Sequence, residues 1–363
     1  MSPRGPRGQY DGAGLWPRMR SLHLTRRLSQ RQRRVLAATL GIAFLGVVVV
    51  ANQPSAGDVA HPQAQAAAAH QLGRVQSVPR STPVPLLTVL KQHVAFEDAT
   101  AQHAGAPAVQ ADTGILVDID TGSILWERNP HQPHAPASTT KVLSSLVALQ
   151  NFSPDRLVEI TPDALHQAGD ETRMGLAAGN QLTVRELLDG MLLVSGNDAA
   201  DAMAVDTVGM ESFVATMNHQ VEALGLHDSH FVTPVGLDDP AQKASAYDLA
   251  AIASVDVTHF PVFRQIVAQT EATLPASPLH PEFDLGNLNR LLRIYPAADG
   301  IKPGWTGDAG ACLIGMAERD GHRLISVLMG APQLYTDSRA LLDWGFVQEG
   351  LPSLLPTPTP KKP

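Results

Sequence analysis

Ser138 and Lys141 stand three residues apart in APASTTKVLSSLVAL, where a polar opening runs into an apolar helical stretch. Positions i and i+3 of a helix share a face one turn apart, so an amine at 141 reaches a hydroxyl at 138. Serine is a weak nucleophile until a base takes its proton. Lysine is such a base only when neutral, so its pKa must fall from about 10.4 toward ~7–8 through burial and a second cation. That chemistry accounts for a lysine entering an apolar helix. The chain has only six lysines, three of them in its body, and Lys302 is the candidate for the second cation. Ser138 at a helix start also has free backbone N–H groups around it, suited to a developing oxyanion. The ordinary alternative is a helix cap at Ser138 and a snorkelling side chain at Lys141.

Two further stretches carry the same flavour. LLVSGNDAA places Ser195, Gly196 and Asn197 at the end of an apolar helix, and a Ser and an Asn two apart on a loop can point into one cleft. DGIKPGWTGDAG holds Lys302, Pro303 and Gly304 ahead of an apolar strand, where the glycine would let a ligand backbone approach. The bland readings are a helix ended by Gly-Asn and a Pro-Gly turn.

The elements that must position these residues follow from periodicity. TGILVDIDTGSILWERN reads as a hairpin turning at Asp120-Thr121-Gly122. A helix is expected over 182–205, opened by a Thr183/Glu186 capping box, with others over 210–226 and 245–257 and near 336–344. ACLIGMAERD and HRLISVLMGA read as strands joined at Gly321. Strands, then many helices, then strands give an α+β fold: an antiparallel sheet flanked by helices, with a helical subdomain.

Ahead of this body the texture differs. Residues 1–34 hold nine arginines and one acid and read as a basic cytoplasmic tail. Residues 35–51 form a 17-residue uncharged run, read as a transmembrane signal-anchor that leaves everything after it outside the cytoplasm, single-pass. Cleavage of the run would make the protein secreted instead. An Ala/Pro/Gln-rich tether spans 52–107, with a short helix expected around 86–100; the body spans 108–348, and 349–363 reads as a flexible tail. The net charge of −8 and the absence of a basic stripe in the body exclude a nucleic-acid-binding composition. The single cysteine, Cys312, lies in an apolar run and reads as a buried structural thiol. His131 and His134 read as surface loop, since no third ligand stands at metal spacing.

The three motifs, in this order, match the S-x-x-K, S-D-N and K-T-G signature of serine penicillin-binding proteins and β-lactamases. Over about residues 111–347 the chain resembles the low-molecular-weight D-alanyl-D-alanine carboxypeptidases, peptidase family S11, in GILVDIDTGSILWERN, APASTTKVLSSLVAL, LTVRELLDGMLLVSGNDAA, FVTPVGLDDP, NLNRLL and DGIKPGWTGDAG. The resemblance implies a β-lactamase/DD-peptidase-like fold. It implies Ser138 as nucleophile, Lys141 as base, Ser195 as proton relay and Asn197 as a holder of substrate or of Lys141. Lys302, Gly304, Trp305 and Thr306 would bind substrate, with the Ser138 and Trp305 backbone N–H groups as oxyanion hole. The substrate would be the stem pentapeptide of peptidoglycan, β-lactam antibiotics would inhibit, and no cofactor or metal would be needed.

Three departures accompany the resemblance. Pro303 stands where the family has threonine, removing a hydroxyl and an N–H, and weaker or altered substrate binding is expected. The carboxylate-binding arginine of some members has no clear counterpart; Arg339 is the candidate. Many members add a C-terminal β domain and a membrane helix, whereas this text stops soon after WGF, which places the expected membrane attachment at the N-terminus. Other readings are a D,D-endopeptidase, a β-lactamase using a glutamate near Glu282, and a catalytically silent wall-binding protein.

Overall fold

A computed structural model describes residues 87–98, 105–165 and 171–356. The basic tail, the expected membrane segment and most of the tether lie outside the described residues. Among the described residues, no helix is long and apolar enough to cross a membrane.

The strands in chain order are β1 (Glu97–Asp98), β2 (Thr113–Asp118), β3 (Ser123–Arg128), β4 (Leu157–Glu159), β5 (Gln181–Thr183), β6 (Glu271–Leu274), β7 (Phe283–Gly286), β8 (Ala298–Thr306), β9 (Gly310–Arg319) and β10 (His322–Met329). Six of them form one sheet in the order β1-β3-β2-β10-β9-β8, antiparallel except for β1, which runs parallel to β3. β4/β5 and β6/β7 are separate two-stranded ribbons. Every residue of β2 is buried, as expected of a central strand covered on both faces. The expected β9–β10 turn is the two-residue loop Asp320-Gly321, both with positive φ (49° and 89°), the conformation that Asp-Gly supplies in a tight hairpin.

The helices are α1 (Lys141–Asn151), α2 (Val184–Leu192), α3 (Asn197–Val205), α4 (Met210–Ala223), α5 (Ala246–His259), α6 (Pro261–Val267), α7 (Leu291–Ile294) and α8 (Leu334–Gln348). α8 covers one face of the sheet over a cluster that includes Leu116, Leu313, Leu324, Leu328 and Phe346. The larger core lies on the other face, where Ile115, Val117, Ile314 and Val327 meet Leu143, Leu146 and the Ala/Ile side of α5. Each such fully buried side chain contributes roughly 1.5–3 kcal/mol, which fixes the sheet between its two helical layers.

Three expectations change. The helix expected over 182–205 is two helices: it opens at the Thr183/Glu186 capping box as expected, stops at Leu192, and restarts at Asn197. Ser195 takes φ 60° and Gly196 packs where a Cβ would meet Met174 N at 2.9 Å, so tertiary contacts break a run whose apolar pattern is continuous. The helix expected around 86–100 is an extended strap. Its backbone groups bond to the body instead of to one another: Leu87 N–H donates to Thr216 Oγ1 (3.0 Å), Leu90 N–H to Gln220 Oε1 (2.8 Å), Val94 N–H to Leu224 O (3.1 Å) and Phe96 N–H to the Tyr247 hydroxyl (2.9 Å). The start of the expected flexible tail is held too, Leu354 N–H donating to Asp343 Oδ1 (2.8 Å) and Arg319 Nη2 to Pro352 O (2.8 Å).

Candidate active site

The nucleophile candidate lies in a 3-10 turn, Ala137–Thr140, that feeds directly into α1. Ala137 has φ 49°, and a left-handed non-glycine residue beside a reactive serine is a strained position that the surroundings must hold. They do so from two sides. At Gly304 of β8, an added Cβ would sit 2.7 Å from Ser138 N and 2.9 Å from Ala137 Cβ. At Gly236, which has φ 88°, it would sit 1.8 Å from Ala137 O. Gly304 therefore serves the chain's own approach to Ser138, not that of a ligand backbone alone.

Lys141, the first residue of α1, is fully buried. Its Nζ lies 3.1 Å from Ser138 Oγ, 2.7 Å from Asn197 Oδ1 and 2.9 Å from Val235 O. The last two atoms only accept. A neutral amine has two N–H bonds for them and one lone pair, which is left for the Ser138 hydroxyl. Burial lowers the Lys141 pKa to about 7, against the pull of the Asp201, Glu171 and Asp198 charges. The amine is thus poised to take a proton near neutral pH.

Asn197 opens α3, and Ser195, almost fully buried, forms the elbow two residues before it. The loop facing them is clamped. Asp198 accepts from the backbone N–H groups of Met174, Gly175 and Leu176 at 2.8, 2.8 and 3.0 Å, and Thr172 Oγ1 donates to Ser195 O at 2.8 Å. Asn197 Nδ2 donates to Glu171 Oε2 at 2.7 Å.

Lys302, Pro303 and Gly304 lie ahead of the apolar strand β9 as expected, and themselves form part of the edge strand β8 that pairs with it. An edge strand tolerates proline, because one side of its ladder is unpaired. Lys302 pairs with Ile314 and Gly304 with Cys312, both part of the core on the α1 side, so Lys302 and Gly304 share the face of Ser138. Lys302 is fully buried and donates to Pro303 O at 3.0 Å. Burial, and secondarily the Lys141 charge, push its pKa well below the usual lysine value. The expected influence of Lys302 in keeping Lys141 neutral is replaced by burial as the leading cause. Trp305 is 66 % exposed beside this edge, and Thr306 Oγ1 accepts from Ala309 N–H at 3.1 Å. Arg339 falls on α8, across the sheet from the site, and so does not serve as the expected carboxylate binder. Glu282 is exposed just ahead of β7. Cys312 is buried, and its thiol is pushed up to about 12 by burial, which leaves it inert.

A family model for D-alanyl-D-alanine carboxypeptidases, peptidase S11, matches residues 100–333. The chain belongs to this family. A D-alanyl-D-alanine carboxypeptidase of Mycobacterium tuberculosis, DacB2, is 38% identical over 262 residues, 69% of this chain and 88% of the relative. A crystal structure of a D-alanyl-D-alanine carboxypeptidase from Mycobacterium tuberculosis superimposes with a TM-score of 0.63 at 36% identity, covering 68% of this chain and 96% of that one. A Streptomyces DD-transpeptidase structure gives the same TM-score at 28% identity, covering 67% of this chain and 99% of its own. The fold is that of the β-lactamase and DD-peptidase group, and the chain is a serine DD-carboxypeptidase of the S11 type.

Two residues that hold this S11 site together escaped the sequence reading, Glu171 and Asp198. Asp198 stands beside the Ser-Gly-Asn motif and was legible as part of SGNDAA. Glu171 lies 26 residues from its partner Asn197, and no local spacing signals the contact.

Proposed function

We propose that this carboxypeptidase removes the terminal D-alanine of peptidoglycan stem pentapeptides through an acyl-enzyme on Ser138, and so takes part in cell-wall remodelling. The observation that carries the assignment of roles is the Lys141 amine, fully buried, committed to two acceptors and 3.1 Å from Ser138 Oγ. Ser138 Oγ attacks the carbonyl between the two D-alanines while its proton passes to Lys141 Nζ. The oxyanion forms against the backbone N–H groups near Ser138 and Trp305, each such donor being worth about 3–4 kcal/mol of barrier. Ser195 relays a proton to the leaving amine, D-alanine departs, and water hydrolyses the ester by the reverse proton path. Lys302 takes the terminal carboxylate, whose arrival favours the charged amine that burial disfavours. Pro303, in place of threonine, leaves that carboxylate fewer donors and weakens its binding.

β-Lactams acylate the same serine. The arginine-rich segment ahead of the 17-residue apolar run supports a single-pass anchor with the catalytic body outside the cytoplasm. Intact-protein mass spectrometry after exposure to a penicillin tests the proposal, with Ser138→Ala alongside. A persistent adduct in the parent and none in the variant is expected, together with D-alanine release from a pentapeptide. Rapid return to free enzyme with the drug hydrolysed would make the protein a β-lactamase. Cleavage of crosslinked dimers in preference to pentapeptide would make it an endopeptidase. A folded protein that takes no adduct would be a silent wall-binding protein.

A further inference from the structure

Asn197 is gripped at both ends of its carboxamide. Its oxygen meets Lys141 Nζ at 2.7 Å and its nitrogen meets Glu171 Oε2 at 2.7 Å. An ionised carboxylate only accepts, so Glu171 decides which way the amide points. A flipped amide would turn an N–H toward Lys141 and remove one of the two acceptors that leave the lysine lone pair for Ser138. The loop that bears Glu171 is itself fixed. Thr172 O accepts from Asn197 N–H at 2.8 Å, and Asp198 gathers the backbone N–H groups of Met174, Gly175 and Leu176. We propose that Glu171 is a positioning residue for the acylation reaction, holding the Asn197 carboxamide in the one orientation that presents its oxygen to Lys141.

Glu171 also carries charge into the site. The charged groups acting on Lys141 are Asp198 and Asp201 from α3 and Glu171 from the loop, and Lys302 from β8 in turn feels the Lys141 charge. Burial lowers the Lys141 pKa to about 7, and the three anions oppose that fall. A neutral residue at 171 removes one of them, so the lysine loses its proton at lower pH. A purely structural role for Glu171 would leave that titration where it is.

The inference rests on Lys141 as the base, and two readouts on the full-length chain keep the two questions apart. The first is direct titration of the Lys141 amine by NMR of protein labelled at lysine Cε, assigned through Lys141→Arg. The second is the pH profile of Ser138 acylation by a fluorescent penicillin. Glu171→Gln retains an acceptor for Asn197 Nδ2 without the charge; Glu171→Ala retains neither. In both variants the Lys141 titration and the acid limb of acylation are expected to move together to lower pH. A move of ~0.3 unit already doubles the relative rate on that limb. The plateau should fall on the order of ten-fold for Glu171→Ala, the loss of a hydrogen bond to a charged group, and by less than about three-fold for Glu171→Gln. An unmoved titration with unchanged plateaus would overturn the inference. A titration that moves while the acylation limb stays would uphold the coupling and remove Lys141 as the base. Normal acylation followed by a stalled acyl-enzyme would also overturn it, by assigning Glu171 to the hydrolytic step.

Discussion

Lys141 and Lys302 are both fully buried and both have lowered proton affinity, yet their surroundings are opposites. Lys141 has three oxygen partners and three acidic groups pulling its pKa upward. Among the described residues, Lys302 has one hydrogen-bond partner, the carbonyl of the next residue, and the charge acting on it is the repelling Lys141. The first amine is complete within the fold, with its protonation balanced near neutrality. The second is an amine whose charged form the fold does not compensate, so an incoming carboxylate finds a donor and favours the charge that burial disfavours. Base and anchor are thus distinguished by what surrounds them, although residue type and burial are the same.

The sharpest break of this contrast is activity. Lys141→Ala should cut penicillin acylation and D-alanine release on the order of 10³-fold or more, measured by single-turnover kinetics, because the nucleophile loses its base. Lys302→Gln should cost less, about 3 kcal/mol or roughly 10²-fold in kcat/KM, and mostly on substrates that carry the terminal carboxylate. An equal loss on an analogue without the carboxylate would abolish the distinction between base and anchor. The smallest effect is on stability and runs in opposite directions. Lys302→Met should stabilise the fold at pH 7 by about 1 kcal/mol, since it removes a buried amine with a single partner. Lys141→Met should destabilise it, by orphaning Asn197 Oδ1 and Val235 O. The sign of the pH dependence follows from linkage. A lysine whose folded pKa is lowered binds fewer protons folded than unfolded, so its penalty is full at low pH and fades as pH rises toward ~10.4. Urea denaturation at pH 7 and pH 10 should therefore show a smaller gain with pH for Lys302→Met than for the parent.

Much of this site was legible in the sequence, because its chemistry is local. Ser138 and Lys141 are one helical turn apart, Ser195 and Asn197 share an elbow, and strong apolar patterns mark β2, β9 and β10. What escaped depends on contacts distant along the chain. The break between α2 and α3 interrupts a continuous apolar run, since it is imposed by packing on Met174. The strand character of β8 does not show in the sequence around its Lys-Pro-Gly motif, since it comes from pairing with β9 along an edge that tolerates proline. Glu171 carries no motif, because its meaning arises only when its loop folds over α3.

The strap over residues 87–98 redraws where the enzyme begins. Its Leu90 backbone is held through both N–H and C=O by the Gln220 carboxamide, and Thr88 likewise by Asn151. Among the described residues, the chain held to the body accordingly reaches back to Leu87, ahead of the composition change near residue 108. A catalytic fragment trimmed at 108 would expose α4 and α5 along a seam and strand the amides of Asn151 and Gln220, so a trimmed enzyme that proves fragile would reflect its boundary and not its chemistry.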